Sequence, residues 1–321
     1  MADRDRQASS TRAQRMSGTP ARPAVGVVIV NYNLKDSLRE TLRSFRQVNY
    51  PELQIVVSDN GSTDGSVEMV RQEFPEVHLL TREKGVGYAK GASLGMEFLA
   101  DRTKYIFSTT NDVLVDPEMI NALVDYAEAH PDTGVLGCKI YYHDKGDLLW
   151  SAGGRMHPLF AHSYHFGWNR HDGPRYNEVR ECDYVTGCGF MFPSAAAKKV
   201  NYFKADLVFY SEDADFCYCV REAGYKIVYV PAAKMWHKTS TTLAKNRPVQ
   251  LYYSTRNNLY LTVRHKVGWY PLSLWVNLFV VCPAKMILLG VFTLQNARGI
   301  WKGIQHWRQN RYGWADDNWF R

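Results

Sequence analysis

The 321-residue chain is 45% apolar and 22% charged, the length and composition of a folded protein with one large domain or two smaller ones. Its formal charge of +7 favours anionic partners, and six cysteines without a CxxC pair argue against a zinc site and a disulfide framework and for a reduced, cytosol-facing chain. No apolar leader opens it, so no secretory signal is expected.

Residues 1–22 are rich in Arg, Ser and Thr and nearly empty of large apolar side chains, which predicts a disordered basic tail. The continuous apolar run 25–30 predicts a central parallel strand, with Asn31-Tyr32-Asn33 at its carboxyl end. Leu38, Leu42, Phe45 and Val48 mark an amphipathic helix, and residues 53–57 a second strand. A polar loop, Ser58 to Ser66, then leads into a helix over 67–74, and residues 77–80 read as a third strand. Alternation of this kind predicts an α/β sheet with ligands at the carboxyl ends of its strands.

Gly85, Gly87 and Gly91 miss the GxGxxG spacing by one position, so no dinucleotide site is expected, although glycines opening a helix that carries Lys90 suit a phosphate or a base. A fourth strand over 105–108 runs into Thr109-Thr110-Asn111-Asp112, where the acid could hold a divalent cation or simply close a turn. A helix over 118–129 and a strand over 135–141 follow. Residues 143–180 lose periodicity and hold four histidines between 157 and 171, which predicts a functional loop without a standard metal pattern. Gly187 and Gly189 sit in an apolar stretch where a ligand could approach the backbone.

Glu212, Asp213 and Asp215 stand at the start of a helix predicted over 214–223 and capped by Gly224. Three acids beside aromatics exceed what the helix dipole asks for and suggest a site. A buried strand over 226–230 is expected to stop at Pro231, ahead of Trp236 and His237. Residues 247–264 form a basic, aromatic helix, and 272–294 are strongly apolar. Pro283 and Lys285 argue against a clean membrane span. Flanking tryptophans and cations favour an interfacial element, with a buried helical core as the alternative.

Val27 to Asn33, Val57 to Ser66, Asn111-Asp112-Val113, Glu212 to Asp215 and His237, in this order, resemble a family 2 inverting glycosyltransferase, and among these the bacterial rhamnosyltransferase-like branch that builds cell-surface glycans. The resemblance runs over about residues 25–255. It implies a GT-A fold, a Rossmann-like mixed sheet flanked by helices over 23–246, beside which the basic and aromatic residues 247–321 read as a helical membrane-interface extension. It implies that Asp59 reads the nucleobase, that Asn31, Asn33, Lys90 and Asn111 line the nucleotide-sugar site, and that Asp112 and His237 hold Mn²⁺ or Mg²⁺. Asp213 corresponds to the catalytic base, and Glu212, Asp215 and Trp236 to acceptor or supporting positions. Thr110 stands where the family usually has Asp or Asn, which leaves a catalytically inactive nucleotide-sugar-binding protein as the alternative. The implied partners are a dTDP- or UDP-linked sugar, rhamnose among the candidates, a glycan or polyprenyl-linked acceptor, and the cytoplasmic membrane surface. No nucleic-acid partner is expected, because the basic residues are dispersed and no reading module is present.

The chemistry fits this resemblance independently. Inversion at an anomeric carbon needs one carboxylate to deprotonate the acceptor hydroxyl, and positive charge to carry the leaving diphosphate. Neighbouring acids are expected to raise the proton affinity of Asp213.

Overall fold

A computed structural model describes residues 22–239, 246–290 and 293–315. The tail predicted at 1–22 therefore lies outside the described residues, Arg22 excepted. The first half is built from β1 (Val25–Asn31), α1 (Lys35–Phe45), β2 (Leu53–Asp59), α2 (Ser66–Glu73), β3 (His78–Leu80), α3 (Tyr88–Leu99), β4 (Tyr105–Thr110), β5 (Val113–Val115) and α4 (Met119–Ala129). β1 is buried at every residue, as its unbroken apolar run requires of a strand covered on both faces. It pairs in parallel with β2 on one side and β4 on the other, and β3 continues the parallel set beyond β2.

The alternation of side chains along β1 divides the core. Val28 and Val30 pack with Met96 and Leu99 of α3, whereas Val27 and Ile29 pack with Leu38 and Leu42 of α1. Helices thus cover both faces, as a doubly wound sheet demands.

β6 (Thr133–Tyr142) turns the sheet antiparallel. The segment expected to be a loop supplies short strands: β7 (Leu148–Ser151) beside β6, the hairpin β8 (Gly154–Met156) and β9 (Ser163–His165) as a separate two-stranded sheet, β10 (Arg170–His171) beside β7, and β11 (Arg180–Glu181). β12 (Gly189–Pro193) inserts antiparallel between β4 and β6, and α5 (Ser194–Lys199) follows. Then come α6 (Glu212–Glu222) and β13 (Lys226–His237). The sheet order is β10-β7-β6-β12-β4-β1-β2-β3, with β13 pairing β5, β6 and β11.

The strand expected to stop at Pro231 does not. β13 continues to His237, and its register against β6 shifts between Val230 and Lys234. A proline without an N–H is tolerated at such a bulge, and the ladder resumes past it. This places His237 opposite Val113 of β5.

The C-terminal part is helical: α7 (Arg247–Arg264), then α8 (Leu272–Val276) joined through a π-helical stretch, Asn277–Val281, to α9 (Cys282–Gly290), then α10 (Leu294–Arg308). α7 is folded onto the α/β unit. Tyr252, Tyr253, Arg256 and Asn257 are buried, and they present the face that the sequence reads as basic and aromatic. The run 272–289 is long and apolar enough to cross a membrane by length and composition, yet Asn277 donates to the Phe160 carbonyl at 2.7 Å and Ser273 to that of Val267 at 2.8 Å, which ties it to the body.

Candidate active site

Three polar segments far apart in sequence meet because they end three adjacent strands. Asn31 of β1 lies in register with Asp59 of β2, and Val30 with Thr110 of β4. Their side chains then form one network. Asn31 Nδ2 donates to Asp59 Oδ2 at 2.8 Å and to Ser62 Oγ at 3.0 Å, and Asn111 Nδ2 donates to Asn31 Oδ1 at 2.6 Å. Asp59 also accepts from the backbone N–H of Gly61 and Ser62, at 3.1 and 2.9 Å. Asn33 adopts φ 56° and ties the two loops together, its N–H donating to Ser62 Oγ and its Oδ1 accepting from Thr63. Arg82, unremarked in sequence, donates to Ser58 Oγ and to the Asp59 carbonyl, at 3.2 and 2.9 Å.

Asp112 follows directly. Its Oδ1 accepts from the Thr110 hydroxyl at 2.7 Å and lies 3.3 Å from His237 Nε2. The pairing of β5 with β13 explains why residues so distant in the chain face each other here. Burial pushes the His237 imidazole down, but the Cys188 sulfur and the Asp112 carboxylate outweigh it and hold its pKa well above the usual range. A buried carboxylate, an imidazole and a hydroxyl converge at one point open to the cleft. An oxygen-and-nitrogen set of this kind is one that Asp112 and His237 could offer to a hard divalent cation such as Mn²⁺ or Mg²⁺.

Across the cleft, α6 begins after a loop in which Val208, Tyr210 and Ser211 all have positive φ. Such a run strains non-glycine residues and persists only if the surroundings hold it. α7 does so. Arg256 donates to the carbonyls of Leu207 and Gly313, and Asn257 Nδ2 to those of Leu207, Phe209 and Tyr210 at 2.7–2.9 Å. The turn before α3 locks in from the other side: Gly87 has φ +85°, and a Cβ there would lie 2.7 Å from Val208.

The loop delivers Asp213, whose Oδ2 accepts from Gly187 N–H at 2.8 Å and Oδ1 from Ala214 N–H at 2.7 Å. Glu212 is buried, its Oε2 is without a partner among the described residues, and it lines the cleft. Burial raises the pKa of both carboxyls and is the largest cause for each; the charges of Asp213 and Asp215 add to it for Glu212. Desolvation thus leads where the sequence suggests charge repulsion.

The cleft encloses about 900 Å³ between the sheet edge and the C-terminal helices, and it brings together Asn111, Asp112, His237, Glu212 and Asp213. Asn31, Asn33 and Asp59 stand behind Asn111 in the network. Three expected residues do not join them. Lys90 lies on the outer side of α3, 4.0 Å from Glu97, because one helical position past Ala89 turns it to solvent. Asp215 points away from the cleft and accepts from His265 Nε2 at 2.8 Å. Trp236 alternates with His237 along β13, so it faces the opposite side and stacks on Tyr141. The cleft adds Tyr88, Trp150, His165, Tyr184 and Cys188, which no motif marks. Tyr88 donates to the Gly187 carbonyl at 2.9 Å, and Trp150 meets the His237 ring edge-on at 4.8 Å between centroids.

Residues 26–199, more than half of the chain, match the family described as glycosyl transferase family 2. The N-acetylglucosaminyl-diphospho-decaprenol L-rhamnosyltransferase of Mycobacterium tuberculosis is 26% identical over 266 residues, covering 76% of this chain and 85% of that protein. The poly-β-1,6-N-acetyl-D-glucosamine synthase of Staphylococcus epidermidis is 21% identical over 222 residues, 68% of this chain and 51% of that protein. Among solved structures, a mannosyltransferase from Pyrobaculum calidifontis in complex with GDP-Man and Mn²⁺ aligns over 95% of both chains, with a TM-score of 0.59 and 16% identity. The fold is the GT-A fold that the resemblance implied, and the chain belongs to glycosyl transferase family 2.

Proposed function

We propose that this protein is an inverting glycosyltransferase that moves a sugar from a nucleoside diphosphate to a lipid-linked glycan during cell-surface polysaccharide assembly. The observation that carries this reading is a single cleft with Asp112 and His237 on one wall and Asp213 on the other. In this reading Asp213, held in place by the Gly187 and Ala214 N–H groups, takes the proton of the acceptor hydroxyl as its oxygen bonds to the anomeric carbon. The bond from that carbon to the diphosphate oxygen breaks, and the electron pair leaves with the diphosphate. Asp112 and His237 would hold the divalent cation, which when bound supplies positive charge against the departing diphosphate. Asn31, Asn111 and Asp59 position the nucleoside. The name of the rhamnosyltransferase relative, with its L-rhamnosyl group and diphospho-decaprenol acceptor, supports a deoxysugar and a polyprenyl-linked acceptor; a dTDP- or UDP-linked donor and the cytoplasmic face of the membrane complete the reading.

Thermal unfolding with Mn²⁺ and a panel of UDP, dTDP, GDP and CDP tests the donor site. A ligand at about 100 times its dissociation constant adds about 2.7 kcal/mol of stability. One nucleotide should shift the transition, only with metal, and Asp112→Ala should remove the shift. Asp213→Asn should keep the shift yet lower transfer by at least about 100-fold. Full turnover in Asp213→Asn would remove it from the mechanism.

The presence of Thr110 in place of a second carboxylate favours one other reading, a nucleotide-sugar-binding protein without catalysis. Metal-dependent donor hydrolysis would exclude it.

A further inference from the structure

The helix running through α8 and α9 has two unlike sides. Asn277, Val281, Cys282 and Lys285 line the catalytic cleft, the same enclosure that holds Asp112 and Asp213. On the other side Leu278, Phe279, Met286 and Ile287 meet Trp301 and Ile304 of α10 in an open, largely apolar groove of about 870 Å³. Around it the molecule exposes large apolar side chains at steps of three and four residues along one helical face: Leu272, Trp275 and Phe279, and further along Ile287 and Leu288. Phe279, Ile287 and Leu288 are 64%, 69% and 66% exposed, and Trp301 of α10 is exposed beside them. Contiguous apolar surface of this extent marks an interaction site.

Charge identifies what the surface fits. Residues 247–315 contain nine Lys and Arg and no Asp or Glu. Lys285, Arg298 and Arg308 are exposed around the apolar face, and no described acid pairs with any of them. Apolar side chains rimmed by cations, with Trp275 and Trp301 at the boundary, complement an anionic bilayer: hydrocarbon below, phosphate at the rim. A second protein surface would need acids to match this rim. The face is also held rigidly relative to the cleft, since Asn277 bonds the Phe160 carbonyl and Trp269 N–H the Pro158 carbonyl.

We propose that the outer face of α8–α9 and α10 is a docking surface for an anionic lipid bilayer, and that it seats the protein so that the Lys285 end of the catalytic cleft opens among the headgroups. The orientation rests on reading the cleft as the site of a lipid-linked acceptor; the docking does not. Docked in this way, an acceptor enters headgroup first, its lipid tail never leaving the bilayer, and its sugar reaches Asp213 along the α7 wall.

The test is sedimentation of the full chain with vesicles of phosphatidylcholine alone and of phosphatidylcholine mixed with phosphatidylglycerol. The protein should pellet with the mixed vesicles, less so as salt rises, and alkaline carbonate should release it. The variant Phe279→Ser/Ile287→Ser/Leu288→Ser changes only exposed positions and should weaken binding by at least about tenfold, with metal-dependent donor hydrolysis unchanged. Three results would overturn the docking: wild-type protein that stays in the supernatant with mixed vesicles, protein that resists carbonate and is therefore inserted, or a dimer by light scattering that the triple variant dissolves. Vesicle binding without donor hydrolysis in the wild type would overturn the orientation of the cleft and the glycosyltransferase reading together, leaving the docking surface in place.

Discussion

Glu212 and Asp213 are adjacent in sequence yet differ in what surrounds their oxygens. Both Asp213 oxygens accept backbone N–H groups, whereas Glu212 Oε2 has no partner among the described residues. A buried acceptor left without a donor costs about 1–3 kcal/mol, so Glu212 is a cost to folding that the cleft retains. Burial raises its pKa, so the folded protein holds that proton more tightly than the unfolded chain does. Stability therefore falls as pH rises through the window between the ordinary glutamate range and the raised value. Glu212→Gln, which cannot ionise, should be more stable than wild type by about 1–3 kcal/mol near pH 8, a gain that shrinks as the pH is lowered to about 4.5. Denaturant titrations at the two pH values check this, and an equal gain at both would contradict it. Transfer should fall far less in Glu212→Gln than in Asp213→Asn, because an amide still hydrogen-bonds an acceptor hydroxyl. The acid cluster itself is legible in the sequence, as are Asn31, Asp59 and Asp112 at strand ends. What separates Asp213 from Glu212 is not, because the deciding N–H comes from Gly187, far off in the chain. Lys90, Asp215 and Trp236 show the same limit: motif spacing places a residue near the site, and one step along a helix or strand turns it away.

α6 is positioned from its outer side as well as from the cleft. His265, just past the end of α7, lies between two α6 carboxylates, Nε2 at 2.8 Å from Asp215 and Nδ1 at 2.6 Å from Glu222. Burial lowers its pKa, but bonds to Asp215, Cys219 and Glu222 outweigh this and raise it to about 9. The stability it contributes is thus fully present below about 6.5, its unfolded value, and is lost as pH rises towards 9. Glu222 is partly exposed, which screens half of the contact, so the loss should be about 1–2 kcal/mol. His265→Gln should be less stable than wild type at pH 6 and should lack this decline. A parallel decline in both proteins would assign it to other groups. The sequence makes α7 legible as a helix by its period but not by its inward face. Arg256 and Asn257 read only as members of a basic, aromatic face until the left-handed loop 208–211, whose carbonyls need donors, is placed against them. Pro231 misleads for a related reason, since a bulge needs no ladder N–H and the strand carries on to His237.

On the scale of the whole molecule the family motifs end near residue 237, and a boundary after 246 is the natural reading of a sequence whose composition changes there. The packing ties the two sides of that boundary together. Val249, Leu251, Tyr253 and Asn258 of α7 form a wall of the cleft that holds Asp112 and Asp213. Arg256, fully buried, holds Asp206, Leu207 and Gly313 by their carbonyls, and Gly313 N–H returns to Asp206 at 2.8 Å. The chain past 246 is therefore the support of the strained loop that delivers Asp213, as well as the carrier of the exposed apolar face. Removing it would take the hydrogen bonds from at least three loop carbonyls, at about 0.5–1.5 kcal/mol net for each bond, expose Val208 and release the hold on the left-handed residues. That loss is a large share of the stability of a typical domain, about 5–15 kcal/mol. A chain cut after residue 246 should thus lose its cooperative thermal transition and any shift with nucleotide and Mn²⁺. The surface variant Phe279→Ser/Ile287→Ser/Leu288→Ser should keep both. If the cut chain melts as sharply as the full one and still binds nucleotide, the C-terminal helices are an appendage after all, and the geometry of Asp213 must be maintained from within the α/β unit by the Gly87 and Gly187 contacts alone.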